Sequence, residues 1–465
     1  MILVGDIPSS FRDPSGFMFT QDSTLYRQVN EYYRDDYDHL MSSSLYDNLV
    51  NHKLLVPHTE VDASYARTGD AYKVIRPELV DFISYPYEWS FSMLKDASLT
   101  MLAIQKMALE FGMVLKDASA YNIQFADGGP ILIDTLSFEQ YRDGDAWQGY
   151  RQFCEHFLAP LALMSYKDVR MSQLLRIHLD GIPLDLASSL LSFSARFNYR
   201  LLLHIHLHAT TQRHYAKKSV KLGRTLNRIN RTVLQHIADD LESCVKGLKW
   251  GLKRAHRGVE WADYYKATNN YTETAEAHKK QLVSEFLDRV KPKSVWDLGA
   301  NTGAYSSIAG RTGAKTVSFD IDPACVELNY LEVKRSGDRN VLPLLLDLTN
   351  PSPGIGWGNR ERITIWERGR PDTIMALALV HHLAIANNLP LEMIAELFSE
   401  NCTSLVIEFV PKEDSNAQRL LGSRKDIFTD YNQQKFEEEF SKLFKIEEVV
   451  QIKDSLRTLY LMEVK

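Results

Sequence analysis

Three aspartates in the C-terminal half each close a short apolar run: Asp297 in "VWDLGANTG", Asp320 in "TVSFDIDP" and Asp347 in "PLLLDLTNP". After the first comes a turn bearing Gly299 and Gly303. Glycines let the backbone turn sharply and approach a ligand, and the helix expected next offers free N–H groups at its start. A carboxylate about twenty residues beyond such a turn, where Asp320 stands, suits the paired hydroxyls of a ribose. Asp347, on the same edge of the sheet, can accept from an adenine amino group. The set describes an adenosyl pocket. Asp322 competes for the ribose role, but Asp320 lies nearer the strand end.

Such a pocket needs a sheet to hold it. The segments "SVWDLG", "KTVSFD", "VLPLLLD", "TIMALALV" and "SLVIEFV" are short, apolar and rich in β-branched residues. Helical stretches such as "ACVELNYLEVKRS" and "LEMIAELFSE" separate most of them. Strands apolar on both faces, alternating with helices, predict a parallel sheet covered on both sides. The tail "IEEVVQIKDSLRTLYLMEV" has no room for a crossover helix and predicts an antiparallel hairpin. A helix from about Thr272 leads into the first strand.

These residues resemble the class I S-adenosylmethionine-dependent methyltransferases over about 261–465. That resemblance implies a Rossmann-like, doubly wound, seven-stranded α/β sheet. It assigns Asp297, Gly299, Asn301 and Gly303 to the methionine and ribose region, Asp320 to the ribose and Asp347 to the adenine. Asn301 departs from the commoner middle glycine. Methyl transfer needs alignment and, for some acceptors, proton removal. His381 and His382, read as the end of the fourth strand, are candidate bases, because imidazole titrates near neutrality. Packing or strand capping is the competing role for each. Glu408, after the fifth strand, is a third candidate catalytic residue and, with Lys412, a candidate for shaping the acceptor pocket; no metal is expected in this domain. The long loop "NPSPGIGWGNRER" offers Trp357, Asn359, Arg360 and Arg362 to a polar or anionic acceptor. Tyr265, Asn270 and Tyr271 either close over the cofactor or pack the domain junction.

A second constellation lies in "LKDASAYNIQFADGGPILIDT". Asp117, Asn122 and Asp134 resemble the catalytic Asp, metal-binding Asn and metal-binding Asp of protein and small-molecule kinases, over about 65–165. The stretch from Asn122 predicts two strands about a glycine turn. "MLAIQKMALEFGMV" predicts the preceding amphipathic helix, "ISYPYEWSF" a hinge, and Lys73 the nucleotide-pairing lysine. The resemblance implies ATP and Mg2+, in an active or a degenerate kinase-like domain. Leu115 stands where His is common, Asp-Thr-Leu replaces Asp-Phe-Gly, and no glycine-rich loop precedes Lys73. "SYPYEWSF", "KDASAYN" and "DLGANTG", in that order, further resemble larger bacterial methyltransferases related to nodulation proteins, over nearly the whole chain.

The chain of 465 residues is 45% hydrophobic and 25% charged, with net charge −6. That predicts a folded protein of two or three domains and gives no general reason to expect nucleic acid as a partner. We expect a kinase-like α+β domain over 1–165, a helical region over 166–260 and the methyltransferase domain over 261–465. Cys154, Cys244, Cys325 and Cys402 form no close pair, and no apolar run reaches the roughly 20 residues that span a bilayer. A reducing, cytoplasmic setting is expected. "HIHLH" (His204, His206, His208) reads as helical with no nearby carboxylate, which disfavours a metal. The basic run Arg213, Lys217, Lys218, Lys221, Arg224, Arg228 and Arg231 reads as a solvated helix face. The expected function is methyl transfer to an oxygen or nitrogen of a small-molecule or glycan acceptor. The alternatives are a bifunctional phosphotransferase–methyltransferase and a non-catalytic cofactor-binding regulator.

Overall fold

Strands that are apolar on both faces leave a sheet no exposed side, and that is how the second half folds. A computed structural model describes residues 7–207, 230–250, 271–422 and 425–465. Contacts divide the chain into two compact units, Met1–Gly251 with Pro353–Ile363, and Leu252–Ser352 with Thr364–Lys465. The helical stretch expected over 166–260 falls in the first unit as far as Gly251, and so does the segment 353–363, read from sequence as part of the methyltransferase domain.

The first unit carries an antiparallel sheet of β1 (Gly16–Gln21), β2 (Thr24–Asn30), β3 (His58–Val61) and β4 (Ala71–Pro77), ordered β1-β2-β4-β3. Next comes a 20-residue helix, Phe91–Glu110, capped by the Ser90 hydroxyl accepting from Met93 N. Its apolar face buries Met93, Leu94, Ala97, Met101, Leu102, Ala108 and Leu109, which is the spacing of a helix packed on one side. β5 (Met113–Leu115) pairs with β8 (Phe138–Gln140), and β6 (Ile123–Ala126) with β7 (Gly129–Leu132). Asp127 and Gly128 turn the β6–β7 hairpin with φ of 51° and 80°, the left-handed pair that a two-residue hairpin needs. Among the described residues, the stretch from Gly149 onward is mostly helical, with Arg231–Gly247 its last helix.

The second unit holds a seven-stranded sheet of β9 (Ser294–Leu298), β10 (Lys315–Asp320), β11 (Val341–Leu345), β12 (Thr373–Ala376), β13 (Ser404–Phe409), β14 (Phe444–Gln451) and β15 (Thr458–Val464). Its order is β11-β10-β9-β12-β13-β15-β14. β9 to β13 run parallel, and β15 joins β13 and β14 antiparallel. The hairpin read from the tail is therefore present. Every residue of β12 and β13 is buried. The helix Glu273–Val290 is capped by Thr272, which accepts from Ala275 N. It packs Leu282, Val283, Phe286 and Leu287 against Val295, Met375, Val406 and Leu461. Each such side chain contributes about 1.5–3 kcal/mol by leaving water. The strand order reverses between β9 and β12, so a crevice opens there at the carboxyl ends of the strands. Among the described residues no helix is long and apolar enough to cross a membrane.

Candidate functional site

The turn after β9 is shaped by two glycines with φ of +75° (Gly299) and +82° (Gly303). A Cβ on Gly303 would lie 2.2 Å from Asn329 Oδ1, and Asn329 is itself fixed by donating to the Ser318 hydroxyl at 2.8 Å. No side chain fits there. Asn301 sits at φ 50°, a left-handed conformation that Asn tolerates better than most residues. That accounts for Asn in place of the commoner glycine. Gly299 and Ala300 N–H both donate to Phe319 O at 2.9 Å. Asn301 N–H donates to Asp320 Oδ2 at 2.8 Å. The turn is thus pinned to β10.

A cavity of about 310 Å3 opens at this edge, lined by Asp297, Gly299, Asn301, Asp320 and Asp347 among others. Gly303 shapes the turn without lining the cavity. Asp320 Oδ1 accepts from Asp322 N at 2.8 Å, while Asp322 accepts from Ala324 N at 2.8 Å and caps the helix Pro323–Ser336. The two rivals therefore separate: Asp320 faces the cavity and Asp322 starts a helix. Asp297 Oδ2 accepts from the Ser306 hydroxyl at 2.6 Å. Burial pushes the carboxyls of Asp297 and Asp320 up to about 6, against hydrogen bonds that pull them down. Asp347 accepts from Thr349 N at 2.9 Å and from its hydroxyl at 2.7 Å. The lining between these acids is largely apolar, with Ile321, Leu346, Leu377 and Leu379.

The proposed bases sit differently from the sequence reading. β12 ends at Ala376, and His381 and His382 lie beyond it where the chain turns helical. His382 lines the cavity, and burial lowers its pKa to about 4. His381 is fully buried, with neither ring nitrogen hydrogen-bonded, and lies off the wall. Burial also lowers its pKa well below the usual histidine range. Glu408 closes β13 fully buried and off the wall. It pairs with Lys279 Nζ at 2.6 Å and Arg457 at 3.5 Å, and accepts from the Tyr271 hydroxyl. Arg457 in turn donates to Asp414 at 2.8 and 3.1 Å and to Tyr271 Oη at 2.8 Å. Tyr271 and Lys279 line the cavity. Lys412 is elsewhere, donating to Asp426 at 2.9 Å. Lys279 escaped the sequence reading, although a lysine on the same helix stripe as Ala275, Leu282 and Phe286 was a usable signal.

In the first unit Asp117, Asn122 and Asp134 do converge, on a cavity of about 570 Å3 with Met18, Leu25, Val56 and Ile133 on its apolar side. Asp117 accepts from Ser119 N at 3.0 Å, and burial raises its pKa, with Asp134 adding to the shift. Asn122 donates to the Ser137 hydroxyl at 3.3 Å, and that hydroxyl donates to Asp134 Oδ2 at 2.8 Å. Asp134 Oδ1 accepts from Leu136 N at 2.9 Å and pairs with Arg27 at 2.5 Å. Lys73, the expected nucleotide-pairing lysine, is off this cavity and bound to Glu60 at 2.7 Å. It stands on β4, and the registers Arg27↔Ile75 and Val29↔Lys73 put it on the same sheet face as Arg27. Arg27 pairs with Asp134, while Lys73 pairs with Glu60 on β3. The motif order in sequence did not reveal which of the two cations meets the aspartates.

The expected acceptor loop also moves. Within 353–363, Arg362 and Glu361 line the first unit's cavity. Arg12 donates to Glu361 at 2.7 and 3.1 Å, and the Arg362 guanidinium lies 4.1 Å from the Tyr121 ring centroid. Trp357 is 78% exposed, and Asn359 and Arg360 are exposed beside it. His204 does have a carboxylate neighbour, Asp240 at 2.9 Å, and its other nitrogen meets the Tyr150 hydroxyl at 2.7 Å. The carboxylate comes from the distant helix Arg231–Gly247, which local sequence could not show. His206 bonds to Ser188 at 2.7 Å. Among the described residues no three His, Cys, Asp or Glu side chains gather as a metal site. His208, the basic run from Arg213 to Arg228, and Tyr265 and Asn270 lie outside the described residues.

No family model matches the sequence. A curated relative, the nodulation protein NoeA of Rhizobium meliloti (strain 1021), is 37% identical over 464 residues, covering 99% of this chain and 96% of NoeA. The chain belongs to the NoeA family. Among solved structures it is similar to WbdD, a bifunctional kinase-methyltransferase, at 16% identity over 43% of this chain and 42% of that one, with TM-score 0.30. It thus spans less than half of WbdD. It is similar too to the N-methyltransferase NodS from Bradyrhizobium japonicum WM9, at 10% identity over 41% of this chain and 97% of NodS, with TM-score 0.31. The magnesium protoporphyrin IX methyltransferase ChlM of Synechocystis PCC 6803, with bound SAH, gives 14%, 44%, 98% and 0.31 in the same terms. Likeness at that level bears on no residue of this chain.

Proposed function

We propose that the chain is an S-adenosylmethionine-dependent methyltransferase acting on an oxygen or nitrogen of a small-molecule or glycan acceptor. One observation carries this reading: Asp297, Asp320 and Asp347, from three consecutive strand ends, line one cavity with the glycine turn of β9. The fit is supported by the turn itself, where a Cβ on Gly303 has no space. Bound there, the donor supplies a methyl group on a sulfonium, which leaves as the sulfur keeps the bonding pair. The chain's residues do the rest. Asp320 offers the ribose an acceptor, with Asn301 N–H holding its carboxylate in place, and Asp347 offers one to the adenine. Three acids around a cavity attract a ligand of net positive charge. His382 is held neutral and can accept a hydrogen bond from the acceptor's O–H or N–H. With its pKa lowered to about 4, it is a weak base that orients the acceptor more than it removes the proton. His381 and Glu408 support the wall from behind. The test is calorimetry of the whole chain with S-adenosylhomocysteine, followed by labelled-methyl transfer to fractionated extracts. Absence of heat with that ligand and with the donor would sink the reading.

A second reading concerns the first unit, favoured by the convergence of Asp117, Asn122 and Asp134 on one cavity. We take it as a nucleotide-binding, kinase-like site in which Arg27 supplies the counter-charge. The arrangement does not fit Mg2+, because Arg27, Leu136 N and the Ser137 hydroxyl already occupy Asp134. No phosphoryl transfer is derived from it. ATP without magnesium should raise the thermal midpoint of the chain, and adding magnesium should not be required.

A further inference from the structure

Three arginines line the first unit's cavity, and their charges are not equally used. Arg12 pairs with Glu361 and Asp180, and Arg27 with Asp13 and Asp134. The third, Arg362, comes from the segment 353–363, which follows β11 in sequence yet belongs to this unit. Among the described residues no carboxylate forms an ion pair with it. Its Nη1 donates to Glu361 O at 2.9 Å, while its buried Nε has no acceptor. Burying part of a cation without an anion is costly, and an unsatisfied buried donor calls for an explanation.

The surroundings fix this side chain at the wall. Its guanidinium carbon lies 4.1 Å from the Tyr121 ring centroid. Ile355 N–H donates to Arg362 O at 2.9 Å, and Arg362 N–H to Ile355 O at 3.1 Å. Ile363 N–H donates to the Tyr85 hydroxyl at 3.0 Å. His156 stands edge-on to the same Tyr121 ring, the centroids 6.0 Å apart. It is 2% exposed and lines the cavity, and its Nδ1 has no partner. Burial, with the Arg362 charge, lowers its pKa to about 3, so the ring is neutral and donates from one nitrogen. Two polar groups with unmet hydrogen bonds therefore flank one aromatic ring of the cavity.

We propose that Arg362 and His156 receive a phosphate group of a small molecule bound in the first unit's cavity. A planar guanidinium offers two parallel N–H bonds, which an ammonium does not. With the imidazole donor, three N–H groups match the three terminal oxygens of a phosphate better than the two of a carboxylate. Glu361, the adjacent acid, repels such a group little, because Arg12 neutralises it with two hydrogen bonds. The phosphate belongs either to a nucleotide or to a second molecule, and the nucleotide reading above, which uses Arg27, does not depend on it.

Thermal melts of the whole chain at fixed ionic strength test this, with pyrophosphate, ATP and adenosine as probes. The proteins are the wild type, Arg362→Gln, Arg362→Lys and His156→Phe. None of these variants orphans an ion-paired carboxylate, and ligand-free melts check folding. Pyrophosphate should bind Arg362→Gln ~10- to 100-fold more weakly, read from midpoint against concentration, and Arg362→Lys should recover part of the loss. His156→Phe, lacking one neutral donor, should lose ~2- to 10-fold. Adenosine should bind all four proteins alike. If ATP weakens together with pyrophosphate, the phosphate is the nucleotide's own; if ATP is unaffected, it belongs to a second molecule. The assignment is overturned if neither pyrophosphate nor ATP binding depends on Arg362, or if adenosine weakens as much as they do. Failure of ATP and adenosine to bind the wild type, with pyrophosphate still bound through Arg362, would end the nucleotide reading alone.

Discussion

The two cavities are built from similar chemistry by opposite routes. In the second unit each carboxylate closes a strand, so consecutive β-strands deliver Asp297, Asp320 and Asp347 to one rim. In the first, the wall draws on Arg12, Arg27, Asp117, Asp134 and Arg362, from separated stretches of sequence. The second cavity leaves its acids facing space, with burial raising two of them. The first is also rich in acids, with Asp13, Glu78, Asp117, Asp134, Asp180 and Glu361 against Arg12, Arg27 and Arg362. It holds two of them in close ion pairs, Arg27 with Asp134 and Arg12 with Glu361. The contrast is between acids left open to the cavity in one unit and acids partly paired with arginine in the other.

Removing a charge should therefore hurt the first cavity most. Arg27→Met leaves Asp134 buried without its cation, and breaking such a pair costs about 3–5 kcal/mol. Urea denaturation should show that loss in the first unit's transition. A loss under about 1 kcal/mol, the range of exposed pairs, would mean that Arg27 and Asp134 behave as an exposed pair and not a buried one. Gly303→Ala tests the second cavity in turn. Forcing a methyl against Asn329 should cost about 1–3 kcal/mol through overpacking, read in the second unit's transition together with loss of S-adenosylhomocysteine binding. Unchanged stability would show that the turn adapts and that the glycine does not define the pocket.

The same contrast explains what the sequence could reveal. Strand ends, a glycine turn and acids at regular intervals are local features, so the sheet and its acidic rim were legible, with Asp320 on the cavity wall and Asp322 capping a helix. The tail hairpin was legible because its two strands leave no room for a helix. What depended on distant contacts was not. Lys73 sits in a plausible motif order and on the sheet face of Arg27, but it pairs with Glu60 from β3 and stays off the cavity wall. His204 meets a carboxylate from a helix beginning at Arg231. Glu361 and Arg362 follow the third strand of one unit and fold into the other, and no local pattern marks that departure. His381 and His382 were adjacent candidates, and only the turn of the backbone after Ala376 separates the one on the wall from the one behind it.

Smaller effects sharpen the electrostatic side of the comparison. Asp320→Asn removes a charged acceptor and should weaken S-adenosylhomocysteine by ~10- to 100-fold in calorimetry. An unchanged constant would leave the ribose role to Asp322. Because Asp297 and Asp320 have carboxyls raised to about 6 from 3.8, the folded second unit binds their protons more tightly than the unfolded chain does. Its stability should fall as pH rises from about 4 to about 6 and level off above. Donor binding should run the other way, strengthening over the same rise because the ionised acids attract a cation. A donor affinity that is flat between pH 5 and 7 would remove both acids from the site.

The smallest effect decides which cation serves the first cavity. Lys73 and Glu60 are more than a third exposed as side chains, and exposed pairs contribute about 0–1 kcal/mol. Lys73→Ala should change stability little and leave any ATP-induced thermal shift intact, because Lys73 is off the cavity wall. Arg27→Lys keeps the charge but loses the planar fork, and should reduce that shift without unfolding the unit. If Lys73→Ala abolishes the shift and Arg27→Lys preserves it, the nucleotide-pairing cation is the lysine on β4, released from its pair with Glu60.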